Sequence, residues 1–248
     1  NAVDDPVIYQ AELVGVFGPI QDQKSGAVLQ EELEIKMELR LRLEPTRGFR
    51  DGSYGRNIYI DSANIHERTG GSQMVLESEL VGRSVELRTF PDGEILDVAW
   101  ADKVVGPGRY LDVFEIVYPA VSPAAPTISE GDLVKQRIIW PFRQENNMRW
   151  DNIVDAVWQN NGKKQIDGNE VWSISYEGPW GTEGKTRRLV PSQIWAANGA
   201  AKGNVHFDRK TSDLVSHSFE WSRVVSVKGK SGELIQTQGL TGRLGRVR

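Results

Sequence analysis

Residues 33–44 read LEIKMELRLRLE, a run composed almost wholly of good helix formers. The order of the residues contradicts that composition. Leu33, Ile35, Met37, Leu39, Leu41 and Leu43 alternate without a break with Glu34, Lys36, Glu38, Arg40, Arg42 and Glu44. On a helix this spacing would scatter the apolar residues around the cylinder and bury half of the charges. On a strand all six apolar side chains share one face and all six charges share the other. The pattern therefore predicts a strand. At about 3.3 Å per residue it would run roughly 40 Å, about twice the usual strand length, so the chain is expected to build something long or curved.

The rest of the composition agrees with a β protein. The 248 residues, 39 % of them hydrophobic, are enough to bury a substantial core in one large β domain or two small ones. Eight tryptophans against three methionines, with 25 glycines and 11 prolines, favour many strands and turns over a helical bundle. No cysteine is present, which removes disulfides, thiolate metal sites and thiol nucleophiles together. No run of eighteen apolar residues occurs, so the sequence predicts no transmembrane segment. The opening NAVDDPVIYQ begins at Asn1 and reads as a mature end left by signal-peptide removal, which predicts export to the periplasm or the bacterial cell surface.

Charge is unevenly placed along the chain. Residues 1–180 carry 18 Lys and Arg against 29 Asp and Glu, whereas residues 181–248 carry 12 against 5, giving the net charge of -4. A basic last quarter is either a solvated edge or a contact for an acidic partner. Nucleic acid is not expected, because no basic stretch is interleaved with stacking aromatics.

Strand candidates follow one another at the spacing of a meander: 7–18, 33–44 (ended by Pro45), 56–67 and 72–80. VELRTF-PDG-EILDVAW (85–100) and GNVHFD-RKTSD-LVSHSFEWSRVVSV (203–227) read as hairpins. Between Gly108 and Pro119, Tyr110, Val113, Phe114 and Val117 stand at helical spacing, which predicts one short helix over 109–118. A proline-rich connector follows, and strands resume after Asp132. The stretch 148–159 fits either a strand or a helix, since Trp150, Val154, Val157 and Trp158 also form a helical stripe. Residues 1–240 are read as a single β domain and 241–248 as a basic tail, too glycine-rich and charged to fold alone.

Chemistry-bearing motifs are missing. GPWGTEGKT (178–186) imitates a phosphate-binding loop, but the required first glycine is replaced by Pro179 and no helix follows. His206 and His217 lie on neighbouring arms of one predicted hairpin, with no third ligand signposted, and are expected on the strand surface. Ser53 in DGSYG lacks the glycine spacing of a nucleophile elbow. Neither a catalytic residue, a metal site nor a cofactor is expected. Seven of the eight tryptophans fall after residue 139 and are expected to fill the core or to cover a sheet face.

The order of a hairpin, one short helix, a proline-rich connector, long strands and a closing hairpin resembles bacterial envelope proteins of the LolA and LppX type, including uncharacterised exported families of the same build. Gly203, Phe207, Asp208 and Leu214 occupy the places of that closing hairpin. The resemblance covers about residues 85–228. It implies a large, curved antiparallel sheet, a half-barrel, whose apolar hollow is partly plugged by the 109–118 helix.

Two functional readings follow. In the first, the exported protein binds a lipid or a lipidated ligand in that hollow. Leu33, Ile35, Met37, Leu39, Leu41 and Leu43 then line the groove, and Tyr110, Phe114 and Tyr118 gate it. In the second, it is a structural or assembly subunit of a cell-envelope or surface complex. Its apolar face is covered by protein, and Arg243, Arg246 and Arg248 dock on other envelope subunits.

Overall fold

The computed structural model describes residues 6–70, 72–77, 80–90, 95–100, 128–143, 148–186, 194–230 and 232–247. The strands are β1 (Val7–Phe17), β2 (Ile20–Asp22), β3 (Val28–Gln30), β4 (Leu33–Gly48), β5 (Tyr54–Thr69), β6 (Ser72–Glu77), β7 (Ser84–Thr89) and β8 (Ile95–Trp100). They continue with β9 (Leu133–Arg143), β10 (Met148–Ile166), β11 (Asn169–Thr186), β12 (Ile194–Asp208), β13 (Leu214–Gly229) and β14 (Gly232–Arg246). All fourteen form one sheet, in which eleven follow the path β8-β7-β5-β4-β1-β14-β13-β12-β11-β10-β9 and β2, β3 and β6 attach beside it. The first and last strands pair with each other, Leu13 against Gly242. The two ends of the path, β8 and β9, approach to within 8 Å between Cα atoms.

The half-barrel expectation is therefore corrected to a nearly closed barrel. The reason lies in strand number and length. A right-twisted sheet of eleven strands, several of them 15–19 residues long, curls until its edges meet.

The segment 33–44 behaves as its alternation requires. Leu33, Ile35, Met37, Leu39, Leu41 and Leu43 are all at most 7 % exposed and point into the barrel, while Lys36, Glu38 and Arg40 stand outside. Across the ladder, Leu41 meets Tyr9 and Ile60, Leu39 meets Ala11 and Ala63, and Met37 meets Leu13 and Ile65. Full burial of such side chains contributes about 1.5–3 kcal/mol each. These residues are packed core, not the lining of an open groove. Pro45 does not end the strand: β4 runs to Gly48, and the ladder with β5 is irregular between Pro45 and Gly48, where a missing N–H is tolerated.

The opposite wall packs by another rule. The inward positions of β12 are Ala197, Gly199, Ala201 and Gly203, and their neighbours on β11 and β13 are Tyr176, Trp180, Phe219 and Trp221. Large rings lie over small residues. A Cβ at Gly203 would stand 2.6 Å from the Tyr176 ring, and one at Gly242 2.5 Å from that of Phe219. At Gly178 and Gly199 it would strike backbone, 2.1 Å from the Asp155 oxygen and 1.8 Å from that of Ser222. These glycines let strands bend sharply and approach, the device by which a barrel turns its corners. The rings form a continuous series: Phe219 stacks on Trp221 at 4.5 Å, and Trp221 meets Trp180 edge-on at 5.7 Å.

Other expectations resolve as follows. The stretch 148–159 is strand, within β10. The supposed tail is strand up to Arg246, ordered by its ladders to β1 and β13. The phosphate-loop imitation lies inside β11. The predicted helix over 109–118, with Tyr110, Phe114 and Tyr118, lies outside the described residues, as does Arg248. No helix among the described residues is long and apolar enough to cross a membrane. That test does not reach strands, and a closed barrel is the other architecture able to span a bilayer, so the expectation of no transmembrane segment does not stand.

Candidate functional site

An open depression of the outer surface, about 990 Å³ in volume, crosses six adjacent strands at mid-length, β4 to β11, and extends to His66 on β5 and Gln73 on β6. Its position follows from the ladder register. One outward row runs Glu38, Glu12, Arg243, Ser218, Asn204 and Ser175 on β4, β1, β14, β13, β12 and β11. The next outward row, two residues along each strand, runs Lys36, Val14, Thr241, Glu220, Lys202 and Glu177. Between the two, the inward row is Met37, Leu13, Gly242, Phe219, Gly203 and Tyr176. Two of those six positions are glycines covered by rings, so the floor of the groove is thin sheet over a tightly packed interior.

The charges of the groove are mostly spent on one another. Arg243 donates from Nε and Nη2 to Glu12 Oε2, at 2.9 and 2.5 Å. Lys202 Nζ is 2.8 Å from Glu220, and Lys36 Nζ is 3.4 Å from Glu34. Glu38 faces Glu12 directly across the β1–β4 ladder, an unfavourable pairing of like charges. Among the described residues, neither Glu38 nor Glu177 has an ion-pair or hydrogen-bond partner. Among the described residues, the Lys and Arg side chains of the groove are all paired, and two of its four carboxylates are not.

Behind the floor sits a buried polar cluster. Tyr176 Oη accepts from Trp221 Nε1 at 3.1 Å and lies 3.0 Å from His217 Nε2. His217 is 2 % exposed, which overturns the surface placement expected for it. Parity explains the error: inward Phe219 and Trp221 put His217 on the same face. His206 meets Ser216 instead, 2.9 Å from Nδ1 to Oγ, so the two histidines do not converge. Burial raises the Tyr176 hydroxyl far above the ordinary tyrosine range. Tyr9 Oη donates to the Leu214 carbonyl at 3.0 Å, and burial pushes this hydroxyl up to about 12. These hydroxyls stay protonated and hold strands together. Toward one end of the interior, Arg223 stacks on Trp180 at 4.4 Å and donates to Gln238 Oε1 at 2.9 Å and Asn152 Oδ1 at 3.3 Å.

Of the binding residues expected from sequence that lie among the described residues, only Arg243 and Met37 reach the groove, Met37 through its floor. Arg246 pairs with Asp213 at 3.1 Å, away from it. Ser53 is buried and bonded to Asp51 and Arg88 in a turn. Sequence reading missed Glu12, Glu177, Lys202 and Glu220. They come from distant segments, and only the register aligns them. Among the described residues no group of three or more His, Asp or Glu could hold a metal ion.

No protein family matches the sequence, and no curated protein does. Among solved structures, a variant of Rh. blastica porin is similar at 8 % identity, covering 96 % of this chain and 100 % of that one, with a TM-score of 0.22. Pseudomonas aeruginosa OpdQ is similar at 8 % identity, covering 99 % of each chain, with a TM-score of 0.28. Scores this low assign no role. The resemblance to LolA and LppX half-barrels is nonetheless corrected by the fold itself: the sheet continues until β8 and β9 lie side by side. The lipid-binding reading falls with it, because the hollow meant to receive a lipid or lipidated ligand is filled by the chain's own side chains.

Proposed function

We propose that this chain is a non-catalytic barrel subunit of a bacterial cell-envelope or surface complex, acting through protein–protein contacts on its outer face. One observation carries the reading: the interior is filled by aliphatic and aromatic layers, while the ion-bearing depression lies outside. The chain's own side chains occupy the space in which a small ligand would sit. The outward positions of β1 and β4, among them Glu12, Lys36, Glu38 and Arg40, suit polar protein surfaces rather than acyl chains. Arg243, fixed by Glu12 at the centre of the groove, is the pre-positioned contact residue on this reading.

The test is gentle isolation from the native envelope followed by sizing and cross-linking. The chain is expected in an assembly well above its own 27.8 kDa, released by the paired reversal Lys202→Glu and Arg243→Glu. A chain that sizes as a monomer at every salt concentration, with no cross-linked neighbour, would rule the reading out.

A further inference from the structure

We propose that Asn161 is a self-modifying residue: its side-chain amide is displaced by the backbone nitrogen of Gly162, leaving an aspartyl or isoaspartyl residue in an exposed bulge of β10. Asn-Gly occurs twice in the chain, at 161–162 and at 198–199, and the fold treats the two pairs in opposite ways. Asn198 and Gly199 are held from both sides. Asn198 faces Gly181 and Val224, and Gly199 faces Trp180 and Arg223. At the other pair the ladder slips: Asn160 pairs with Ile174 and Lys163 with Trp172, so three steps along β10 match two along β11. The ladder to β9 has already ended at Gln159. Among the described residues, Asn161 and Gly162 therefore face no residue in either ladder, and no ladder bond holds the backbone between them extended.

The groups around the bulge suit the reaction. Gly162, at a φ of +85°, carries no Cβ to shield its nitrogen. Its N–H donates to Asn160 Oδ1 at 2.9 Å, and Asn160, 5 % exposed, is itself set by donation from Nδ2 to the Ile128 carbonyl at 3.0 Å. A buried group thus orients the nucleophile. On the solvent side Asn161 Nδ2, the leaving nitrogen, lies 2.9 Å from Ser175 Oγ, whose hydroxyl can turn to protonate it. Gly162 N bonds to Asn161 Cγ, the Cγ–Nδ2 bond breaks, and the nitrogen departs as ammonia. The proton lost by Gly162 N goes to solvent, and the proton gained by the leaving nitrogen comes from Ser175, which recovers it from solvent. Water then opens the cyclic imide at either carbonyl. In sum, the amide and one water give a carboxylate and an ammonium ion, and the chain becomes more acidic by one charge. Ser175 also lines the outer depression, so the new carboxylate appears at its edge.

The experiment incubates the full chain in warm neutral buffer, folded and in urea, and follows both Asn-Gly pairs by peptide mapping and mass spectrometry. In the folded chain Asn161 is expected to convert at least about tenfold faster than Asn198, with isoaspartate among its products. In urea, where neither pair is constrained, the two rates should be alike. Ser175→Ala should slow conversion at Asn161 about tenfold, a modest effect because water can replace the hydroxyl, and leave Asn198 unchanged. Circular dichroism confirms that this variant keeps the fold. No preference for Asn161 in the folded chain, the same preference surviving in urea, or a rate at Asn161 unchanged by Ser175→Ala would overturn the proposal. The first two comparisons use the unaltered chain, so they decide the matter even if the variant does not fold.

Discussion

The two walls of the barrel reach the same burial by different means. On β1, β4 and β5 the inward residues are mostly Leu, Ile and Met, facing one another across long ladders. Each position there fills its own space. On β11, β12 and β13, glycine and alanine on the central strand are covered by Tyr176, Trp180, Phe219 and Trp221 from both sides. There, no position can be judged without its neighbour. A wall of the first kind tolerates substitution locally, whereas a wall of the second kind transmits it.

Four substitution experiments can break or sharpen that contrast. Leu41→Ala, at a position with 0 % exposure, should cost about 2–5 kcal/mol in urea unfolding, with the effect confined to the aliphatic wall. A loss below 1 kcal/mol would mean that β4 is not packed as described. The next largest effect compares one substitution on the two walls. Gly199→Ala, whose new methyl would sit 1.8 Å from backbone, should cost about 1–3 kcal/mol or more, whereas Gly15→Ala crowds the movable ring of Phe17, with Leu240 Cδ1 at an ordinary 3.6 Å, and should cost under about 1 kcal/mol. Equal costs would erase the distinction between the walls.

Tyr176→Phe removes the hydroxyl shared by Trp221 and His217 and should cost about 1–2 kcal/mol. In a double-mutant cycle with Trp221→Phe, the two should be clearly non-additive, while Leu41→Ala with Trp221→Phe should be additive within experimental error. Additivity in both cycles would show that the aromatic wall is not coupled.

The smallest effect is one of pH. Burial, and then the charge of Lys164, hold His206 below its usual value near 6.5. The unfolded chain therefore takes up a proton at a higher pH than the folded one, so the contribution of His206 is fully present above about pH 6.5 and is lost as pH falls through the folded value. The difference in stability between the wild type and His206→Asn should narrow or reverse as pH is lowered from 7.5. A difference independent of pH would place the imidazole in solvent.

Legibility differed between the walls for a physical reason. On β4, unbroken alternation named both the state and the buried face, because a period of two is a property of the strand alone. The hairpin at 203–227 was equally plain, and its turn is held by Asp208 Oδ1, which accepts from the amides of Lys210 and Thr211 at 2.7 and 3.0 Å. The small inward residues of β12, in WAANGAAKGNVHF, carry no hydrophobic signal at all. Their role exists only once Trp180 and Trp221 are laid beside them. Closure was illegible for a related reason. Whether a sheet stops as a half-barrel or goes on to meet itself depends on twist accumulated over all its strands, and no local segment records that sum.

The candidate groove was the least legible part, since Glu12, Glu38, Glu177 and Arg243 are separated by up to 231 positions in the chain and brought together by register alone.

By itself, then, the sequence determined that this chain is built from long strands with one apolar and one charged face, because side-chain alternation is written residue by residue. Only the tertiary structure decided that the apolar face closes on itself, that glycines under aromatic rings shape one wall, and that scattered charges line up in a single outer groove. Those features depend on strand count, twist and register, which are properties of the assembled sheet and of no single stretch.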